Sequence, residues 1–195
     1  MELKDSQTLK NLARSYAGES QAHIRYKFIE YGARNEGYKC LAELIDNIVY
    51  NEFNHARMFY TFIQQASDDT IVNIDIQAGY PFKEKWDLIE NLKLASEDEE
   101  MEETSIYPEF MNTAKKEGFK EIANLYKNII QVESCHKKLL KDLYNQLSTG
   151  TIYKKPQKVK WKCADCGYEA YSKEAWEQCP LCKAKQGSVM LHLED

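Results

Sequence analysis

Four apolar seams of helical period run through residues 1–147, and each is interrupted near its middle by carboxylates or imidazoles. The first helix is expected over 7–35, ended by Glu36-Gly37, with Leu9, Leu12, Tyr16, Glu19, Tyr26 and Ala33 on its inward stripe. The second, over 38–66, carries Leu41, Leu44, Ile48, Glu52, His55, Phe59 and Phe62. The third, over 82–117, carries Leu88, Leu92, Ala95, Glu99, Glu102 and Ile106, with a kink predicted near Ile106–Tyr107 because Pro108 lies inside it. The fourth, over 119–147, carries Ile122, Leu125, Ile129, Glu133, His136, Leu140, Leu143 and Leu147. Steps of three and four mark one face of each helix.

Charge in such seams demands compensation. A lone ionised Glu in a bundle core costs several kcal/mol, so it must be paired or metal-bound. Five converging carboxylates (Glu19, Glu52, Glu99, Glu102 and Glu133) would repel one another and drive their pKa values up. Two divalent ions would neutralise most of that charge. Ligands rich in oxygen, with one or two imidazoles, suit iron or manganese. Glu52-x-x-His55 and Glu133-x-x-His136 each place two ligands on one helical face, one turn apart. One E-x-x-H alone is a weak signal; two, in register with Glu on two further helices, are a strong one. The halves also repeat, since Glu52 to Glu133 and His55 to His136 are both offsets of 81. The stretch 67–81 is β-branched and broken, and reads as a long crossover between two helix pairs. Short links within the pairs and a crossover between them describe a ferritin-like four-helix bundle.

In the run 97–103, only Glu99 and Glu102 fall on the stripe; Glu97, Glu100 and Glu103 are expected to face water. His23 adjoins no ligand pair and reads as a surface residue. Tyr26 and Tyr107 read as core aromatics or as phenols that donate to ligating carboxylates.

Composition narrows the rest. With 26 basic and 31 acidic residues the net charge is −5, which argues against nucleic-acid binding carried by overall charge. No apolar run approaches the roughly 20 residues that cross a bilayer. The opening MELKDSQTLK lacks the apolar core of a signal peptide, so a cytoplasmic location is expected. Four of six cysteines form Cys163-x2-Cys166-x12-Cys179-x2-Cys182, a strong tetrathiolate pattern in a reducing compartment. Gly167 and Pro180 fit turns that aim N–H groups at sulfur, and Trp161, Tyr168, Tyr171 and Trp176 offer a small core. Thiolate spacing alone does not separate zinc from a single iron. Cys40 and Cys135 read as ordinary buried or half-buried thiols. Residues 148–160 mix Ser, Thr, Gly, Pro and Lys and read as a solvated linker, so the expected division is 1–147, 148–160 and 161–195. A tail below about 40 residues needs a metal staple to fold.

Together these motifs resemble the rubrerythrins over nearly the whole chain. The anchors are Glu19 with Ala22 and Arg25-Tyr26; Glu52-Phe53-Asn54-His55-Ala56; Glu99-x-x-Glu102 leading to Tyr107-Pro108-Glu109-Phe110; Glu133-Ser134-Cys135-His136; and both C-x-x-C pairs. The resemblance implies a diiron centre in the bundle and a rubredoxin-like tail whose single iron is held by Cys163, Cys166, Cys179 and Cys182. It implies that Glu52 and Glu133 bridge the irons, with Glu19 terminal on one and Glu99 and His136 terminal on the other. Glu102 and His55 would exchange on the first iron with oxidation state, and Tyr26 and Tyr107 would lie behind the ligands. Asp98 departs from the family pattern, which more often has Gly there, and Asn51 stands where many diiron proteins carry a further Glu. The implied function is reduction of hydrogen peroxide to water. Electrons would come from an NAD(P)H-dependent flavoprotein reductase, sometimes through rubredoxin, and the implied assembly is a homodimer in which one tail serves the other bundle. Two rival readings are a ferroxidase and an iron-handling ferritin-like protein with structural zinc in its tail.

Overall fold

The computed structural model describes residues 1–68, 73–77 and 86–193. Ser6 opens the first long helix, α1 (Gln7–Asn35), by accepting a hydrogen bond from the Leu9 N–H. A short turn leads to α2 (Lys39–Gln64). After the crossover come α3 (Leu88–Met101), a π-helical turn (Glu102–Ile106) and α4 (Tyr107–Glu117), then α5 (Lys120–Ser148). Helices α1 and α2 form one antiparallel pair; the α3–α4 rod and α5 form the other. The bundle is mostly helical and ferritin-like, as the seams require.

The third rod departs from expectation at two places. Its expected start at Phe82 lies outside the described residues, and Trp86 and Asp87 are not helical. Asp87 is extended and caps α3 by accepting from the Glu90 N–H, which fixes the start at Leu88. Trp86 instead lies flat over α1, where a Cβ on Gly32 would fall 1.9 Å from its ring, and its indole N–H donates to Glu36 at 2.8 Å. Just before Pro108, at the site of the predicted kink, the chain inserts the π turn. Proline has no N–H to donate and crowds the carbonyl four residues back, and the wider turn absorbs that defect. The described part of the crossover, 67–68 and 73–77, is irregular, and Ile74 and Ile76 pack on the bundle.

The core is split in two. One apolar half is built around Leu41, Ile45, Ile48, Leu92, Leu140 and Leu143; the other around Leu12, Phe59, Tyr107, Phe110 and Tyr126. Buried Glu and His side chains lie between them in sequence on every rod, after Ala13, Val49, Ala95 and Ile129. Tyr16, placed on the inward stripe of α1, is 40% exposed and stacks on Tyr60, because α1 faces α2 and not the core at that position.

The tail is a two-stranded antiparallel sheet, β1 (Lys154–Lys162) and β2 (Glu169–Glu174), followed by turns. Strand β1 starts inside the stretch read as a linker, so the irregular link after α5 spans only 149–153. Lys154 and Lys160 pair with Glu174 and Glu169 across the sheet, and Lys155 bonds Gln146 of α5. The tail's core is Trp161, Ala175 and Val189, with Trp176 against it. Tyr171, expected there, is 71% exposed, since alternation along β2 turns it outward. The tail docks on the start of α2, where Gly187 meets the Gly37 carbonyl so closely that a Cβ would fall 1.7 Å from it. An ion pair between Lys39 and Asp165 closes the contact.

Candidate metal centres

Six of the seven seam residues converge at the boundary of the two apolar halves. Glu19, Glu52, His55 and Glu133 form one group, and Glu52, Glu99, Glu133 and His136 a second, each with ligand atoms within 4.8 Å of one another. The two groups share Glu52 and Glu133. Around His55, Nδ1 faces Glu133 Oε1 at 3.1 Å, Glu19 Oε2 at 3.5 Å and Glu52 Oε2 at 3.5 Å. Around His136, Nδ1 faces Glu52 Oε1 at 2.8 Å and Glu133 Oε2 at 2.9 Å. Each shared carboxylate therefore turns one oxygen toward each imidazole, as a bridge between two ions requires.

The fit to a dimetal centre rests on orphaned atoms. Glu19 Oε2, both oxygens of Glu52 and Glu133, Glu99 Oε2 and the Nδ1 atoms of His55 and His136 are buried without a hydrogen-bond partner. Leaving buried polar atoms unsatisfied costs about 1–3 kcal/mol each, more when charged, and cations placed among them would satisfy all of them at once. The remaining oxygens of the two unshared carboxylates are engaged. Tyr107 donates to Glu19 Oε1 at 2.5 Å, and Tyr26 donates to Glu99 Oε1 at 2.6 Å. Both phenols thus lie behind the ligands and leave the inward oxygens bare.

Electrostatics agree. Burial, and then the neighbouring carboxylates, push Glu19, Glu99 and Glu102 well above the usual carboxylate range. Glu52 is held low: burial opposes its charge, but the neighbouring Glu19 carboxyl and the two facing imidazoles outweigh it. Burial also opposes a charged His136, yet Glu133 and Glu52 outweigh it and lift it to about 9. The site is an anionic cage that calls for cations.

Glu102 stands apart from both groups. It lies on the π turn, buried, and lines a cavity of about 610 Å³ between α1 and the α3–α4 rod. Asp98 on the same wall pairs with Arg25. Glu97 and Glu100 are exposed as expected, whereas Glu103 is half-buried and pairs with Lys137. Asn51 meets the far side of the centre: its amide nitrogen lies 3.1 Å from His136 Nε2. The near atom is the amide nitrogen Nδ2; for a bare, ligating Nδ1 the proton sits on Nε2, and the amide must turn over to present its oxygen to it. Position 51 precedes Glu52 directly, and only its one-turn offset from His55 hinted at an inward direction. His23 is half-buried rather than on the surface, bonded through Nδ1 to the Val49 carbonyl at 2.9 Å.

In the tail, Cys163, Cys166, Cys179 and Cys182 converge, with Sγ separations of 3.7 Å (Cys163 to Cys182) and 3.6 Å (Cys166 to Cys179). A tetrahedral ion with metal–sulfur bonds of about 2.3 Å needs edges of roughly 3.8 Å, so the four sulfurs fit one ion. The two C-x-x-C turns match. Gly167 N–H donates to the Cys163 carbonyl at 2.9 Å and Lys183 N–H to the Cys179 carbonyl at 3.0 Å, with φ of 75° and 66° at the two donors. Burial works against the Cys179 thiolate, but the N–H groups of Cys182 and Leu181 bring it down to about 7. Cys40 is buried at the start of α2, its thiol raised to about 11 by burial above all, while Cys135 is exposed on α5.

Comparison with known proteins follows the same lines. The Rubrerythrin family profile matches residues 10–144, and a rubrerythrin rubredoxin-like domain profile matches 161–188. A rubrerythrin of Clostridium perfringens is 36% identical over 180 residues, covering 92% of this chain and 91% of that one. A rubrerythrin of Porphyromonas gingivalis is 35% identical over 184 residues, covering 94% and 89%. Among solved structures, a nigerythrin in a mixed-valence state superposes with a TM-score of 0.63 at 24% identity, covering 98% of this chain and 92% of that one. With a dimetal cage in its bundle and a tetrathiolate site in its tail, the chain belongs to the rubrerythrin family.

Proposed function

We propose that this protein is a peroxidase that reduces hydrogen peroxide to water. The observation that carries the reading is the division of the Glu52 and Glu133 oxygens between two imidazole-capped groups. In this reading Glu19, Glu52, Glu99, Glu133 and His136 would hold two irons, the shared Glu52 and Glu133 serving both. His55 and Glu102 would be alternative ligands, the neutral imidazole suiting a ferrous ion and the carboxylate a ferric one. A bound ferrous pair supplies two electrons, one from each ion, and Lewis acidity toward a peroxide O–O bond.

The chain's own residues do the rest. Tyr107 and Tyr26 fix the orientation of Glu19 and Glu99 and hold protons beside them. Asn51 sets the tautomer of His136. The apolar halves on either side keep bulk water from the cage.

Residues 161–195 serve the electron supply, fed from NAD(P)H by a flavoprotein reductase, directly or through rubredoxin, in the cytoplasm. The exposed edge of that supply is Cys166 and Cys182. A homodimer in which one tail serves the other bundle is supported by distance. The tail docks at Lys39, and Glu52 lies thirteen residues further along α2, about 20 Å at 1.5 Å per residue. That is a long path for an electron within one chain.

Stopped-flow mixing of the reduced, iron-loaded protein tests the assignment. Peroxide is expected to oxidise it faster than oxygen does. A faster reaction with oxygen would favour the ferroxidase reading and end this one. Zinc in a colourless tail would remove the electron path.

A further inference from the structure

The cavity beside Glu102 is far larger than hydrogen peroxide requires. Its volume of about 610 Å³ falls within the roughly 300–1,000 Å³ of pockets that hold small organic ligands, whereas a water molecule's share of the liquid is only about 30 Å³. Its lining is mixed: Leu94, Met101, Ile106 and Phe110 supply apolar surface, beside the polar Arg14, Ser15, Gln21 and Glu97. Glu102 and Tyr107 also line it, and the second of these bonds Glu19 of the metal cage. Gly18 lies over the Glu102 carboxylate, where a Cβ would stand 3.8 Å from Oε1, at ordinary contact distance. The Arg25–Asp98 ion pair lies in the same lining, as does Gln21, whose buried Nε2 has no hydrogen-bond partner among the described residues.

We propose that this cavity binds organic hydroperoxides, with the hydrocarbon group against Leu94, Met101, Ile106 and Phe110 and the O–OH end toward Glu102 and Tyr107. The inference rests on the peroxidase reading and extends its substrate class. The balance is that of the smaller substrate. The O–O bond of ROOH breaks; one oxygen leaves as ROH and the other as water. Two electrons come from the ferrous pair, one from each ion, and two protons are taken up.

Cumene hydroperoxide and its alcohol product, cumyl alcohol, test it in the iron-loaded protein. Cumyl alcohol carries no peroxide, so its binding is read without turnover, by calorimetry on the resting protein. Saturable binding is expected, with Leu94→Trp weakening it at least tenfold. In turnover, Leu94→Trp is expected to lower the ratio of kcat/KM for cumene hydroperoxide to that for hydrogen peroxide at least tenfold. Met101→Trp, at an exposed position, repeats the test should the first variant fold poorly. Absence of saturable binding, or binding and a kcat/KM ratio that both variants leave unchanged, would overturn the inference. If hydrogen peroxide oxidises the reduced protein but cumene hydroperoxide does not, the organic substrate class fails and the peroxidase reading stands. If neither oxidises it, the peroxidase reading fails, and this inference fails with it.

Discussion

Single side chains fix the chemistry of the cage through what lies behind them. Asn51 holds His136 by its far nitrogen. Replacing such a partner of a metal-bound imidazole weakens metal binding about 10–100-fold. Asn51→Leu is therefore expected to lower iron affinity by that range, read by competition with a chelator, while the helical circular dichroism stays unchanged. Retained affinity would detach Asn51 from the centre. Glu102 lies outside both ligand groups, yet it is buried and faces the cavity. Glu102→Ala is expected to slow peroxide turnover and to leave the bundle folded; unchanged turnover would discard its exchange with His55. The six residues that converge in the two groups were legible in the sequence because each broke an apolar stripe at helical spacing. Asn51 was not, because an amide in a polar stretch of helix carries no such contrast. The Arg25–Asp98 pair was hidden for a related reason: its members lie 73 positions apart, and only the fold brings them together.

At the scale of elements, the π turn is what lets the third rod serve the site. Glu99 lies before it and Tyr107 after it, and both reach the cage, Tyr107 through Glu19. An unbroken α-helix advances about 100° per residue, so removing one residue rotates one flank against the other. Deleting Thr104, which is exposed, is expected to leave a helical protein that binds less than two irons per bundle. Full loading of the deletion variant, read by metal analysis, would show that the turn is dispensable. Sequence reasoning located the disturbance, since Pro108 demanded one, but did not foresee the π turn. Proline excludes a hydrogen bond; whether the chain bends or widens depends on what must face inward on either side. The start of α3 at Leu88 was legible only through the Asp87 cap, and the pull of Trp86 onto Gly32 of α1 is a tertiary contact.

For the whole molecule, folding and metal binding are coupled. Without metal, the folded bundle binds protons that the unfolded chain has released. Glu19, Glu99 and Glu102 are raised by burial first, and the imidazoles of His55 and His136 are raised by facing carboxylates that outweigh burial. Stability from groups raised in this way is complete below their unfolded pKa values and is lost as pH rises through the folded ones. Glu52 is lowered instead, so its contribution is lost only in acid, below the usual carboxylate range. Between pH 5.5 and pH 8 the metal-free protein is therefore expected to lose thermal stability, and the iron-loaded protein to lose less. Equal slopes in thermal melts of the two forms would contradict this coupling. The two-part architecture was legible because the seams stop where the cysteines begin. The docking of the tail was not, because a glycine-to-glycine contact such as Gly187 on Gly37 leaves no pattern in sequence.

The most direct measurement is anomalous diffraction at the iron edge from crystals of the iron-loaded chain. The account predicts two neighbouring peaks in the bundle, both bonded by Glu52 and Glu133, one flanked by Glu19 and the other by Glu99 and His136. A third peak is predicted among the four cysteine sulfurs. A single bundle peak, or a pair not bridged by Glu52 and Glu133, would contradict it.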